Sequence, residues 1–245
     1  MPSAPRPSVR HLASVTGEPL YGELPDRIHA QLRDRIIRGR LAPEARLVEA
    51  ELALRFGVSR TPIREVLVRL VRESFVVTDG SGRRTHFRVA PLSVPAVPEL
   101  WAIMGALEGV AIQTAAGLRR AERMELVAEL EELNTALGRA ARARPRDVDR
   151  VGDLMSAFHI CFMNRSSGTW LRGLYDASRP HVQRYEWAYG AHSESNYAPS
   201  VAEHREIIAA LAAGDARAAK DRIERHWANG AERTMDLIER LRPKR

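Results

Sequence analysis

Residues 47–70, LVEAELALRFGVSRTPIREVLVRL, decide how the first third of this chain folds. Apolar residues recur at helical spacing on both sides of Gly57, so the stretch predicts two short helices around a tight turn. A glycine just past a helix takes the left-handed conformation at little cost, and Ser59 is placed to cap the second helix. The pattern is that of a helix-turn-helix.

The polar residues of the second helix cluster at its N-terminal end: Ser59, Arg60, Thr61 and Arg64. Hydroxyl and guanidinium groups in this position suit the phosphates and base edges of a DNA major groove. The alternative is an ordinary helical hairpin with a solvated basic face. The flanking sequence is needed to decide between the two.

The net charge of +7 is concentrated at the N-terminal end of the chain. Residues 1–90 contain 16 Arg and no Lys against 10 acidic residues, whereas the remainder carries 22 basic and 21 acidic residues. An excess of positive charge confined to one segment is expected where that segment meets a polyanion. The charge distribution therefore favours a DNA-binding segment.

The flanks predict a winged helix-turn-helix domain over residues 18–90. A helix is expected at Pro25–Arg38, and two short strands, Phe75–Val77 and His86–Val89, are expected to form a ribbon. The ribbon tip contains Gly82 and Arg83, where glycine allows close backbone approach and arginine suits a phosphate or a narrow minor groove.

The rest of the chain is predicted to be an all-α bundle over 95–241, joined by a linker at 91–94. At about 150 residues it is long enough for a core of its own. The fold class is therefore mainly α, with an N-terminal winged helix-turn-helix domain followed by an all-α effector domain. Breaks at Gly, Pro and Ser positions predict helices near 95–118, 121–142, 146–164, 168–189, 200–213 and 215–241.

Several classes of protein are excluded or disfavoured by composition. Residues 1–17 lack an apolar core segment, so they are predicted to be a disordered lead rather than a secretory signal. The chain has no run of ~18 apolar residues that could span a membrane. Its single cysteine, Cys161, excludes an internal disulfide and suits a reducing cytoplasm.

Three histidines of the bundle lie on or beside inward faces of different predicted helices: His159, His204 and His226. Neutral imidazoles that converge are good ligands for zinc, nickel and similar divalent ions. A lone inward histidine is more often hydrogen-bonded and structural. Spacing alone leaves both interpretations open.

Residues 20–90, and above all GVSRTPIREVLVRL at 57–70, resemble the winged-helix domain of GntR-family bacterial transcription regulators. The segments AFHICF (157–162) and EHREIIAALAAGDARAA (203–219) resemble the helical FCD effector domain of the FadR subgroup. The resemblance implies a homodimer on a near-palindromic operator of double-stranded DNA, and a small-molecule effector that controls a repressor or, less often, an activator. It also implies DNA contacts from Ser59, Arg60, Thr61 and Arg64 of the recognition helix, and from Gly82 and Arg83 of the wing.

Many members of this subgroup hold a divalent metal with one Asp and three His, and the histidines of that pattern map to His159, His204 and His226. Met155 stands in place of the aspartate, and Asp153 is a poor substitute because it lies about 120° away around the helix. Met104 stands where carboxylate-binding members often carry Arg. We therefore predict a softer, more apolar pocket and an effector that is less acidic and more hydrophobic than an organic acid, with zinc or nickel weakly held or absent. The alternative is that the alignment slips locally, or that water and the effector complete the coordination. The pocket is expected to include Met104, Met155, Glu108 and Tyr185.

Two smaller departures from the family pattern lie in turns of the first domain. Glu44 and Ser74 replace glycines that the family usually has, which predicts local adjustment of both turns.

A three-histidine site also resembles some zinc hydrolases. Glu108 is then the candidate general base, but HExxH, a nucleophile elbow and a phosphate loop are all missing, so no enzyme is predicted. A DNA-binding protein with an inert bundle remains a further alternative.

Overall fold

The computed structural model of the chain describes residues 23–80, 86–190 and 196–241. The predicted lead at 1–17, together with Gly82 and Arg83 of the wing, lies outside these residues. Within them the chain forms nine helices and one small antiparallel sheet. The mainly α fold class is confirmed.

The helix-turn-helix at 47–70 forms as predicted. Helix α1 (Glu23–Ile37) packs on α3 (Arg60–Arg72), and α2 (Glu49–Phe56) packs on α3 as well. Gly57 ends α2 in the left-handed conformation, with φ of 66°. Ser59 precedes α3 with an extended backbone, but its hydroxyl makes no capping hydrogen bond, so only its position agrees with the prediction.

The wing belongs to a three-stranded sheet in the order β1-β3-β2. Strand β2 (Val76–Asp79) begins one residue later than predicted, and it pairs with β3 (His86–Val89). Strand β1 (Arg46–Leu47) pairs with the other edge of β3 and was not predicted. A strand of two residues is too short to show an alternating sequence pattern, so it is recognised only by its pairing with β3.

The turns at Glu44 and Ser74 share an unusual backbone conformation. Both residues adopt the left-handed conformation that glycine takes readily, with φ of 65° and 61°. Hydrogen bonds hold the conformation, since the amide of Glu44 donates to the Val89 carbonyl at 3.0 Å and that of Ser74 donates to the Val71 carbonyl at 3.0 Å. Both turns therefore place a side chain in a conformation that costs an L-residue more than it costs glycine.

The second half forms a helical bundle, and each helix begins and ends within a few residues of its predicted bounds. Helix α4 lies against α6, α7 and α9, and α5 packs against α6 and α8. Within the described residues, no helix is both long and apolar enough to cross a membrane. The six helices are α4 (Ala96–Ala116), α5 (Arg120–Arg142), α6 (Val148–Ser166), α7 (Thr169–Gly190), α8 (Ala198–Ala213) and α9 (Ala216–Leu241).

Candidate functional site

The N-terminal end of α3 presents a polar, basic surface to solvent. The opposite face of the helix, with Ile63 and Leu67 fully buried, anchors it in the domain core. Arg64 donates to the Glu49 carboxylate of α2 at 3.3 Å, an exposed contact that orients its side chain weakly. The four residues predicted to contact DNA are all exposed: Ser59, Arg60, Thr61 and Arg64.

The three histidines singled out in the bundle converge in its interior. His159 comes from α6, His204 from α8 and His226 from α9. Their side chains are 1%, 0% and 6% exposed, and one nitrogen of each ring lies within 4.8 Å of the others. Helical periodicity on three separate elements therefore brings the rings to one point.

The Nδ1 atom of each imidazole ring forms a hydrogen bond with a residue outside the cluster. The acceptors are Glu108 for His159 at 2.7 Å, Asn134 for His204 at 3.1 Å, and Glu203 for His226 at 2.7 Å. An Nδ1–H given to an oxygen leaves the lone pair on Nε2, and this arrangement is typical of histidines that bind metal. Neither Asn134 nor Glu203 was predicted from the sequence, because each lies far along the chain from the histidine with which it forms a hydrogen bond.

The environment of the cluster favours neutral imidazoles, which is the form that binds a metal. Burial lowers the pKa of His204 well below its ordinary value, and the neighbouring His226 and His159 add to the effect. Burial likewise lowers the pKa of His226. Among the described residues, Nε2 of His204 is buried without a hydrogen-bond partner, which a metal ion would supply. The cluster therefore fits a divalent metal.

Glu108 acts as a positioning group. It is fully buried, and the same oxygen that accepts from His159 also accepts from the indole Nε1 of Trp227 at 2.7 Å. Its carboxylate thus fixes a histidine of the cluster and an aromatic side chain beside it. Glu108 lies behind these two residues, which differs from its predicted place in the pocket.

Glu203 joins His226 to a neighbouring arginine. Its oxygens accept from His226, from Asn229 at 2.9 Å and from Arg233 at 2.7 and 2.8 Å. Burial alone would raise the pKa of Glu203, but these hydrogen bonds lower it to about 2. The carboxylate is therefore ionised and neutralises Arg233.

A cavity of about 390 Å³ opens beside the histidine cluster. Two of its charged wall groups are paired with an opposite charge, Arg233 with Glu203 and Glu186 with Arg179 at 2.8 Å. The third, the exposed Arg240, donates to the backbone carbonyl of Asp236 at 3.2 Å. The aromatic part of the wall is suited to a flat, largely apolar molecule. Besides His159, His226 and Met155, its wall contains five aromatic residues: Trp101, Tyr185, Trp187, Tyr197 and Trp227.

Two of the four predicted pocket residues line the cavity, and the other two do not. Met155 and Tyr185 line the cavity, whereas Met104 is fully buried in the hydrophobic core. Asp153 points away from the histidines and pairs with Arg38 of the first domain at 3.0 Å. Trp170 is 89% exposed and Tyr175 belongs to the core, so neither of these α7 aromatic residues lines the cavity. Trp101, Tyr197 and Trp227 were not predicted from the sequence, since only their packing separates them from ordinary core residues.

Two family models match this chain. The model for bacterial regulatory proteins of the gntR family matches residues 24–85. The model for the FCD domain matches residues 99–229, which is more than half of the chain. The first range contains the helix-turn-helix and strands β1 and β2 of its sheet, and the second contains all three histidines.

Similar proteins agree with these matches. The chain is 30% identical over 224 residues to an HTH-type transcriptional regulator in an unstable DNA locus of Streptomyces ambofaciens, covering 88% of the chain and 85% of that protein. It is 26% identical over 216 residues to the HTH-type transcriptional regulator YdhC of Bacillus subtilis, covering 87% and 92%.

Solved structures share the fold. A putative GntR regulator from Rhodococcus sp. RHA1 superposes with a TM-score of 0.70 at 20% identity, covering 90% of the chain and 100% of its own. E. coli McbR/YncC gives a TM-score of 0.66 at 22% identity, covering 89% and 99%. At these identities the likeness extends to the fold alone.

Proposed function

This chain belongs to the GntR family of bacterial regulatory proteins, in the FadR subgroup that carries an FCD domain, and we propose that it is a repressor released by a small-molecule effector. Its relatives are regulators of transcription and not enzymes, so the chain is a DNA-binding transcription regulator. The observation that carries the proposal is the exposed Arg60 and Arg64 at the start of α3, in one chain with an internal cavity.

The effector of this proposal binds in the cavity beside the histidine cluster. The aromatic wall and the paired charges of Arg233 and Glu186 support an effector that is less acidic and more apolar than an organic acid. Zn²⁺ or Ni²⁺ held by His159, His204 and His226 would offer such an effector a Lewis-acidic site. The thioether of Met155 adds to the apolar character of the cavity wall.

We propose a homodimer that meets two half-sites of a near-palindromic operator in the cytoplasm. Helices α4 and α7 pack together, and each carries exposed apolar side chains that a second copy of the chain would cover. These are Ile103 and Val110 on α4, and Trp170 and Leu174 on α7. Because a dimer meets half-sites at a fixed spacing, a small change in the placement of its two recognition helices weakens operator binding.

The proposal is tested by selecting DNA sequences with the full-length protein from a randomised or genomic library. We expect enrichment of an inverted repeat, bound through the N-terminal end of α3. Charge-matched substitution separates specific binding from attraction to any polyanion: Arg60→Ala should abolish the enrichment, while Arg72→Ala at the far end of α3 should not. Enrichment of no sequence, or equal enrichment by both variants, would overturn the proposal.

The sign of the effector's action is tested on the selected operator. A screen of uncharged aromatic molecules and of organic acids, with Zn²⁺ present, should identify a compound that raises the dissociation constant of the operator complex. A compound that tightens the complex instead would make the protein a co-repressor-dependent regulator and contradict release by effector.

A further inference from the structure

We propose that Tyr185 and Trp187, two wall residues of the effector cavity on α7, transmit the state of the cavity to the DNA-binding domain. The inference rests on the proposed function, because it concerns how the effector cavity controls DNA affinity. Each of the two side chains contacts the cavity on one side and the DNA-binding domain or its linker on the other. No other step between the two domains is needed.

Tyr185 connects the cavity to the linker. Its ring lines the cavity and packs edge-on against Trp101, with ring centroids 5.7 Å apart. Its hydroxyl accepts from the amide of Ser93 at 3.0 Å and donates to the carbonyl of the same residue at 2.9 Å. Ser93 lies in the linker between β3 and α4. A displacement of the Tyr185 ring therefore breaks or moves the linker's attachment to the bundle.

Trp187 connects the cavity to the end of α1. The guanidinium of Arg38, the residue after α1, lies 4.9 Å from the centroid of the Trp187 ring. Arg38 also donates to Asp149 at 3.2 Å and to Asp153 at 3.0 Å, both on α6. Arg38 is thus clamped between an aromatic ring of the cavity wall and the helix that carries His159.

The ring of Trp187 rests directly on Gly152 of α6. A Cβ atom added at Gly152 would lie 2.2 to 2.7 Å from the three nearest Trp187 ring atoms, which no packed structure allows. The contact requires glycine at this position. A cavity ligand that displaces the Trp187 ring also removes the aromatic surface against which the Arg38 guanidinium packs.

The rest of α7 holds the helix against the DNA-binding domain. The ring of His181 stacks on Phe75 with centroids 4.5 Å apart, and Arg184 donates to the carbonyl of Ala90. Four positions of one helix, 181, 184, 185 and 187, therefore contact the domain or its linker. Since two of them also line the cavity, occupied and empty cavities differ in their contacts with the domain, as coupling between two sites requires.

The experiment needs no identified effector, since Gly152→Ala displaces Trp187 from inside the protein. The operator selected with the wild-type chain is titrated by fluorescence anisotropy, and the dissociation constant is compared with that of Gly138→Ala. Gly138 is also a helical glycine of the bundle, but its added Cβ would make ordinary contacts of 3.5 Å or more. We expect Gly152→Ala to change the dissociation constant by about tenfold and Gly138→Ala to leave it within about twofold.

A double-mutant cycle then separates transmission from general damage. In an Arg38→Gln background the effect of Gly152→Ala should fall to within about twofold, because the residue that senses Trp187 is gone. In an Arg40→Gln background it should persist, since Arg40 pairs with Asp149 but does not lie on Trp187. Additive effects of Gly152→Ala and Arg38→Gln would overturn the proposal, as would an unchanged dissociation constant in a folded Gly152→Ala protein.

Tyr185→Phe tests the second contact and stays informative if Gly152→Ala does not fold. It keeps the ring in the cavity wall and removes only the hydroxyl that binds Ser93, so we expect a change in operator affinity of about tenfold with an unaltered fold. Tyr175→Phe, the same change on the same helix but in the core, is the control and should change nothing. Equal affinities for both variants would overturn the role of Tyr185. A wild-type chain that enriches no DNA would overturn the proposed function itself, which is a different outcome from either.

Discussion

Met155 lies one helical turn before His159 on α6, and both side chains line the same cavity. The helix is continuous from Val148 to Ser166, so residue 155 faces the histidine cluster without any slip of register. A thioether therefore stands where the subgroup's pattern has a carboxylate ligand. The candidate ligand atoms of the cluster are three imidazole nitrogens, and Met155 does not supply the negative charge that an aspartate would add at this position.

Met155→Asp should raise the affinity for Zn²⁺ by about tenfold or more, because it adds a charged oxygen ligand at the wall. Competition against a chelator of known affinity measures the change. Met155→Asn introduces a side chain that has nearly the shape of aspartate but no charge. We expect this variant to bind Zn²⁺ much less tightly than Met155→Asp. Equal affinities of wild type and Met155→Asp would mean that residue 155 does not reach the metal.

Arg64→Ala should weaken operator binding by about 1–3 kcal/mol if the side chain contacts a base. Among the residues that the structure describes, Glu49 is the one side chain that forms an ion pair with the exposed Arg64, so the free energy of unfolding should change little. Arg72→Ala removes the same charge from the last turn of α3, and it controls for the general loss of positive charge. A footprint and affinity equal to those of wild type would remove Arg64 from the DNA-contacting residues.

Glu44→Gly and Ser74→Gly should each raise the free energy of unfolding by about 1 kcal/mol. Both residues have left-handed backbones, which cost an L-residue with a Cβ atom more than they cost glycine. Denaturant unfolding followed by circular dichroism measures the gain. Glu44→Ala and Ser74→Ala keep the Cβ atom and should gain nothing; a gain as large as that of the glycine variants would place its origin in the lost side chain instead.

Acidification should weaken the contact between α7 and the DNA-binding domain. Burial lowers the pKa of His181, the charges of Arg184 and Arg33 lower it further, and Glu73 opposes them. A histidine whose folded pKa lies below its ordinary value of about 6.5 stabilises the fold fully above that pH, and the contribution is lost as the pH falls through the folded pKa.

His181→Phe keeps a ring on Phe75 and removes the titration. The free energy of unfolding should therefore fall less between pH 7.5 and pH 5.5 in His181→Phe than in wild type. Urea unfolding at the two pH values measures the difference. An identical pH dependence in the two proteins would show that His181 titrates normally.

Local sequence patterns predicted most of the fold. Gly57 and the apolar spacing of α3 defined the helix-turn-helix, and the breaks near Gly117, Pro145 and Gly214 separated the helices of the bundle. Strand β1 could not be predicted, because a two-residue strand exists only through its pairing with β3. Such features depend on contacts between distant parts of the chain.

Only part of the candidate site was predicted, because the rest of it also depends on contacts between distant parts of the chain. The three histidines were found from inward spacing on their own helices. The residues that orient them were not, because Asn134 and Glu203 come from neighbouring elements and have ordinary polar neighbours in sequence. The pairing of Asp153 with Arg38 joins residues 115 positions apart.

The measurement that tests the central claim most directly is a calorimetric titration of Zn²⁺ into the chelator-treated full-length protein, beside His204→Gln. His204 is the probe because its Nε2 is buried in the cluster and lacks a hydrogen-bond partner among the described residues. The account predicts about one Zn²⁺ per chain, with a higher melting temperature, and loss of both effects in the variant. Absence of Zn²⁺ binding in wild type, or binding that His204→Gln leaves unchanged, would contradict a metal centre at His159, His204 and His226.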